Sequence, residues 1–185
     1  KLPLYRDLGP YFYPMRFSLA QSLRAGELPL WDARMAMGFP LLANFQSGAL
    51  YAPNLLYLFL PFSVAVKATF VVHSLIASSG AFCLARHWGF ARAVSLLGSI
   101  LFAFGGVTVS LFNLLNHFQA AVWLPWLVLA AERQLTSTGC RNIFGFLLVA
   151  TVEFLAGSPE IYAMSMAILF INGVRLRSER LVSCF

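Results

Sequence analysis

The sequence predicts an all-α, polytopic transmembrane helix bundle whose long first external loop carries short interfacial helices. Three observations carry that expectation. The 185 residues are 59% hydrophobic and only 11% charged, against about 25% charged in a typical soluble domain, so a soluble fold of this size has no place to hide the apolar surface. The mean hydropathy is +0.75. The apolar residues come in blocks long enough, at about 1.5 Å per residue, to approach a hydrocarbon core of about 30 Å.

The net charge of +6 does not indicate a nucleic-acid binder, because the Lys and Arg residues are scattered between apolar blocks instead of forming one patch. Cys83, Cys140 and Cys184 lie far apart with no CxxC or Cys/His spacing, which supports neither a disulfide framework nor a zinc site. The chain opens on Lys1 without an apolar leader, and Cys184-Phe185 follows a basic turn. We therefore expect a piece of a longer protein with a membrane helix upstream.

Residues 1–62 form the expected external loop. From Phe12 to Ala25, the apolar residues Phe12, Met15, Leu19 and Leu23 recur at helical spacing while Arg16, Gln21 and Arg24 fall elsewhere, the pattern of a helix lying in the membrane interface. Gly26 and Pro29 should end it. A second break is expected at Gly38-Phe39-Pro40. Beyond it, Leu41 to Ser47 and Asn54 to Leu60 read as two short apolar helices that cannot span.

Residues 63–185 form the expected bundle, with spans over about 63–84, 91–112, 118–131, 143–155 and 161–174. Gly105-Gly106 should kink the second. The last three are short, so bilayer thinning or neighbouring helices must make up the length. Arg86 and Arg92 follow the first span, Arg133 and Arg141 the third, and Arg175, Arg177 and Arg180 the fifth, which assigns those connections to the cytoplasm. The turns 113–117 and 157–160 contain no Lys or Arg and fall outside with residues 1–61. No internal repeat or low-complexity tract interrupts the pattern.

Asp7, in YRDLGPYFYP, is the first candidate for chemistry. Tyr5, Tyr11, Phe12 and Tyr13 around it are residues that settle at headgroup level, where a carboxylate wet on one side suits a general base. The plainer reading is a turn acid before Gly9-Pro10. Arg6, Arg16, Arg24 and Arg34 offer paired donors to a phosphate, or simply meet lipid headgroups. The Gly-, Pro- and aromatic-rich stretch holding Glu27, Asp32 and Arg34 reads as a cavity wall or as an interfacial scaffold.

Within the spans, Glu153 is read either as partner to a cation or polar substrate, or as an acid reaching the outer interface. Lys67 suits snorkelling, and His73 suits a hydrogen-bonded interior position. Asn116-His117 and Glu160 fall on outer turns, on Asp7's side, and read most simply as solvated turn residues.

The stretch YRDLGPYFYPMRFSLAQSLRAGELPLWDARMAMGFPLLANFQSGALYAPNLLY, followed in order by FAFGGVTVS, NHFQAAVWLPWLVLAAER and AGSPE, resembles the bacterial YfhO-like membrane proteins, which belong with the GT-C class of glycosyltransferases. Two positions depart from that pattern: LWDA has Asp where Asn is expected after the Trp, and GSPE lacks a common Gln. The resemblance implies a GT-C-like bundle in the bacterial cytoplasmic (inner) membrane, crossing it several times. It implies transfer of a sugar from a polyprenyl-phosphate donor to a polysaccharide or other envelope acceptor on the outer face.

On that resemblance Asp7 takes the place of the catalytic acid of the first external loop, while the departures at LWDA and GSPE leave Asp32 and Glu160 without a family role. The substrate-binding candidates are Arg6, Arg16 and Arg24, as partners of the departing lipid phosphate, with Asp32, His117 and Glu160 on the same outer side. No residue pattern calls for a cofactor; a single external acid without a second carboxylate at ligand spacing leaves divalent-metal use open. A transporter or lipid flippase is the alternative, with Lys67, His73 and Glu153 forming a polar path through the bundle. A non-catalytic assembly subunit is a third reading.

Overall fold

The structure, a computed structural model, describes residues 6–33, 37–136 and 139–182, the side chains of residue 6 and of residues 174–182 excepted. The described residues are helical without a named strand, as expected; one isolated antiparallel bridge joins Asp32 and Phe39. A 3-10 turn, Arg6–Leu8, precedes α1, Phe12–Arg24. Two further 3-10 turns, Phe45–Ser47 and Ala52–Leu55, lead into the single turn α2, Leu56–Phe59. Thus the first of the two expected short helices shrinks to one 3-10 turn, and the second to a 3-10/α pair.

Long helices follow: α3, Phe62–His87, then α4, Arg92–Phe104, and the short α5, Gly106–Ser110. The expected kink falls between the last two. Gly105 is extended there, with φ −67° and ψ 160°, and a Cβ on it would lie 2.3 Å from the Leu101 carbonyl oxygen, so a side chain would force the backbone to shift. The Thr108 hydroxyl donates to the Phe102 carbonyl at 2.6 Å, satisfying an acceptor that the break releases.

The third expected span is interrupted. It consists of α6, Leu115–Ala121, and α7, Leu124–Thr136, separated at Val122-Trp123. Pro125 in the first turn of α7 explains the break, since a helix tolerates proline where no N–H is needed but not in its interior. The last two helices are α8, Cys140–Leu155, and α9, Pro159–Val182. The latter runs beyond the expected end because the backbone ladder continues through the arginines at 175, 177 and 180, where the apolar pattern stops.

Two helical stretches, Phe62–His87 and Arg92–Asn113, are long and apolar enough to cross a membrane. Their outward faces carry Leu75, Leu97, Leu101 and Phe104, all exposed. Successive helices run back and forth. One end holds the 111–114 and 156–158 connections, joined where Asn116 Nδ2 donates to the Gly157 carbonyl at 2.9 Å. At the other end, Trp88 Nε1 donates to Glu132 at 3.0 Å, and His87 approaches the same carboxylate at 3.5 Å.

Residues 6–33 and 37–60 cap the first end. Phe12, Met15, Leu19 and Ala20 of α1 are buried with Leu41, Tyr57, Ala65, Val66 and Leu115, joining the cap to α3 and α6 in one core. Phe62 closes it with edge contacts to Tyr13 and Phe17. The segment is therefore packed on the helices as part of their core.

Candidate functional site

Between the cap and the helices lies a buried polar centre. Its first arm starts at Arg16, which has no solvent exposure and lies between Met15 and Leu19 on the inward face of α1. The residue was expected off the apolar face, yet it follows Phe12 by four and precedes Ala20 by four, so helical geometry carries it inward with them. Arg16 Nη2 donates to Gln119 Oε1 at 2.8 Å, Gln119 Nε2 donates to Asn54 Oδ1 at 3.0 Å, and Asn54 Nδ2 donates to the Gly48 carbonyl at 2.8 Å. Each amide is oriented by the donor and acceptor on its two sides.

No carboxylate among the described residues pairs with Arg16, and its Nε and Nη1 have no hydrogen-bond partner there. Burial pulls the guanidinium below its usual value, the nearby Tyr57 and Tyr51 acting in the opposite sense. A cation held out of water costs several kcal/mol, while one hydrogen bond to a charged group returns about 1.5–3 kcal/mol. The apolar packing around α1 therefore holds Arg16 in place against an electrostatic cost.

The second arm joins the cap to α3 and α6. His73 Nδ1 lies 2.6 Å from the Thr69 carbonyl, so it carries the ring proton and leaves Nε2 as an acceptor. Tyr51 donates its hydroxyl to that Nε2 at 2.8 Å and accepts from Trp123 Nε1 at 2.7 Å. His73 is thus the hydrogen-bonded interior histidine that the sequence predicted. Burial pushes the Tyr51 phenol up, and it raises Tyr13 to about 12, with Tyr57 adding to the effect. These phenols stay protonated donors.

Two glycines let the cap close over this centre. Gly48 has φ +53°, and a Cβ on it would sit 2.8 Å from Asn54 Nδ2 and 2.9 Å from Arg16 Nη1. Gly157 has φ +90°, and its Cβ would meet the Phe45 carbonyl oxygen at 2.5 Å. Both combine a left-handed backbone with a close approach that only glycine permits.

The sequence candidates divide between surface and interior. Asp7 is exposed in the 3-10 turn, which packs against residues 111–113, and the Asp7 carbonyl accepts from the Tyr11 amide at 3.0 Å. Arg24 is exposed in the last turn of α1 and donates to the Leu60 carbonyl. Asp32 is buried rather than lining open space, and its backbone exchanges hydrogen bonds with Phe39 at 2.8 and 2.9 Å. His117 is half-buried with Nδ1 3.0 Å from Asn116 Oδ1, and Glu160 is exposed, accepting from the Ser158 hydroxyl at 3.3 Å. The Arg6 side chain and the whole of Arg34 lie outside the described residues.

Lys67 and Glu153 complete the set. Lys67 is exposed on α3, away from the buried His73. Glu153 is fully buried, because α9 packs across it: Ser165 donates its hydroxyl to Oε1 at 2.5 Å. The three groups of the proposed polar path are therefore differently disposed, one at the surface and two in separate hydrogen-bonded settings. Cys83 and Cys140 are free thiols; Cys184 lies outside the described residues.

Gln119, Asn54, Tyr51 and Trp123 are the site residues that the sequence reading passed over. They were discoverable only as polar or aromatic residues inside NHFQAAVW, which reads as part of an apolar span, and GALYAPN, which closes the Gly-, Pro- and aromatic-rich stretch. Compared with known proteins, the chain matches no family model, no curated protein and no solved structure.

Proposed function

We propose that this chain belongs to a polytopic membrane glycosyltransferase of GT-C-like build, acting at the outer face of a bacterial cytoplasmic membrane. The observation that carries the reading is the docked cap: residues 6–33 and 37–60 share a core with α3 and α6, enclose the Arg16 centre and leave Asp7 exposed at the same end. A lipid-linked sugar needs this division of labour, since its polyprenyl chain stays among apolar helices while phosphate and sugar meet the end of the bundle. Arginine-bearing connections at the opposite end, including Arg86, Arg92, Arg133 and Arg141, fit the cytoplasmic side.

Asp7 would take the proton from an acceptor hydroxyl as that oxygen attacks the anomeric carbon. The bond between that carbon and the phosphate oxygen breaks, and the lipid phosphate leaves with the electron pair. Arg24 stands at the far end of the 13-residue α1 from Asp7, roughly 18 Å away along the helix, too distant to touch that phosphate. Arg16 is enclosed, so it would act by raising the positive potential beneath the cap instead of by contact. A polysaccharide or other envelope component with a free hydroxyl is the acceptor class.

The transport alternative loses support from Lys67, whose exposure takes it off a path through His73 and Glu153. Asp7→Asn in the full-length protein, assayed for sugar transfer from a polyprenyl-phosphate donor, tests the leading reading. Transfer should fall by about two orders of magnitude or more, with protein abundance unchanged. Undiminished transfer would remove Asp7 from the mechanism.

A further inference from the structure

At the end of the bundle opposite the cap, a groove of about 440 Å³ opens between α7 and α8. Trp126, Leu129 and Val149 form its apolar walls, and Arg133 and Arg141 stand at its edge. Trp126 is fixed by donating Nε1 to the Ile76 carbonyl at 3.0 Å, and Asn142 Nδ2 donates to the Arg133 carbonyl at 3.3 Å, clamping the start of α8 to the end of α7. Neither guanidinium is in an ion pair among the described residues.

We infer that this groove binds one anionic glycerophospholipid. Its phosphate would be held between Arg133 and Arg141, where paired guanidinium donors match phosphate oxygens. The first turn of α8 adds to the attraction, having no acidic residue and no side-chain cap on its amides. Below the phosphate, an acyl chain enters along Trp126 and Val149 and continues over Leu148, which is exposed on α8 three residues from Gly145 and so borders that face. The groove thus matches a lipid in both halves, with charge at its mouth and apolar surface beneath. Free phosphate would have no use for the apolar walls, and a zwitterionic phospholipid, though it has the phosphate, would set its own cation against the two arginines.

The inference rests on the membrane part of the reading above and not on sugar transfer, so either can fail without the other. The purified full-length protein, in detergent, would be titrated with phosphatidylglycerol or phosphatidylcholine, and bound lipids counted by native mass spectrometry. One phosphatidylglycerol should bind in preference to phosphatidylcholine and resist displacement by excess inorganic phosphate. Affinity for it should drop about fivefold for Arg133→Ala or Arg141→Ala and about thirtyfold for both together.

Gly145→Leu provides a second test that removes no charge. A Cβ at Gly145 meets nothing within 4 Å, so the larger side chain fills the groove without a clash and should also weaken binding. Arg92→Ala, in another basic connection, should leave it intact. Equal binding of the two lipids, displacement by phosphate, or undiminished binding in both the double arginine variant and Gly145→Leu would overturn the inference.

Discussion

The cap and the α3–α4 hairpin solve opposite problems. In the cap, short turns leave many backbone groups outside helical ladders, and Arg16, Gln119, Asn54, Tyr51 and His73 bind one another and the loop backbone to make that arrangement tolerable. In the hairpin, the ladders satisfy the backbone internally, and exposed Leu75, Leu97 and Leu101 await only apolar surroundings. Polar groups therefore specify the cap, and the solvent around it specifies the hairpin. Substitutions should be felt strongly in the first region and weakly in the second.

The largest effect is expected at Gly157→Ala. Its Cβ would approach the Phe45 carbonyl oxygen to 2.5 Å at a φ of +90°, and the combined clash and strain should cost about 3 kcal/mol or more, read as a lower thermal midpoint in detergent. Gln119→Leu comes next. It takes the acceptor from Arg16 Nη2 and the donor from Asn54 Oδ1, so about 2–3 kcal/mol should be lost by the same measurement. Tyr51→Phe removes the hydroxyl between Trp123 and His73 and should cost about 2 kcal/mol.

The smallest effect sharpens the contrast. Leu97→Ala, on the outward face of α4, should change stability by no more than about 0.5 kcal/mol, whereas the same truncation at Leu19, in the cap core, should cost at least about 2 kcal/mol and so belongs with the larger effects above. Equal losses at both leucines would mean that the α4 face is packed in the assembled protein, and the distinction between the two regions would fail.

Much of the helix order was legible in the sequence because spacing and punctuation are local. The α1 helix was expected over 12–25 and spans Phe12–Arg24, and the break at Gly105 followed from its glycine pair. The interruption at Val122-Trp123 was hidden by continuous apolarity, although Pro125 marked it. The polar centre was far less legible. Arg16 meets Gln119 across 103 positions and Tyr51 meets His73 across 22, and no local pattern announces such partners. A glutamine inside an apolar run looks like an exception until its neighbours are known.

Asp7 and Asp32 offer the most direct test of the proposed chemistry, since one is an exposed acid at the cap end and the other a buried one. Asp7→Asn and Asp32→Asn would be compared for sugar transfer per folded molecule. A base at Asp7 predicts that Asp7→Asn retains abundance and loses about 100-fold or more in turnover, while Asp32→Asn lowers the amount of folded protein and spares the turnover of what remains. Equal turnover in the two variants would contradict a catalytic role for Asp7.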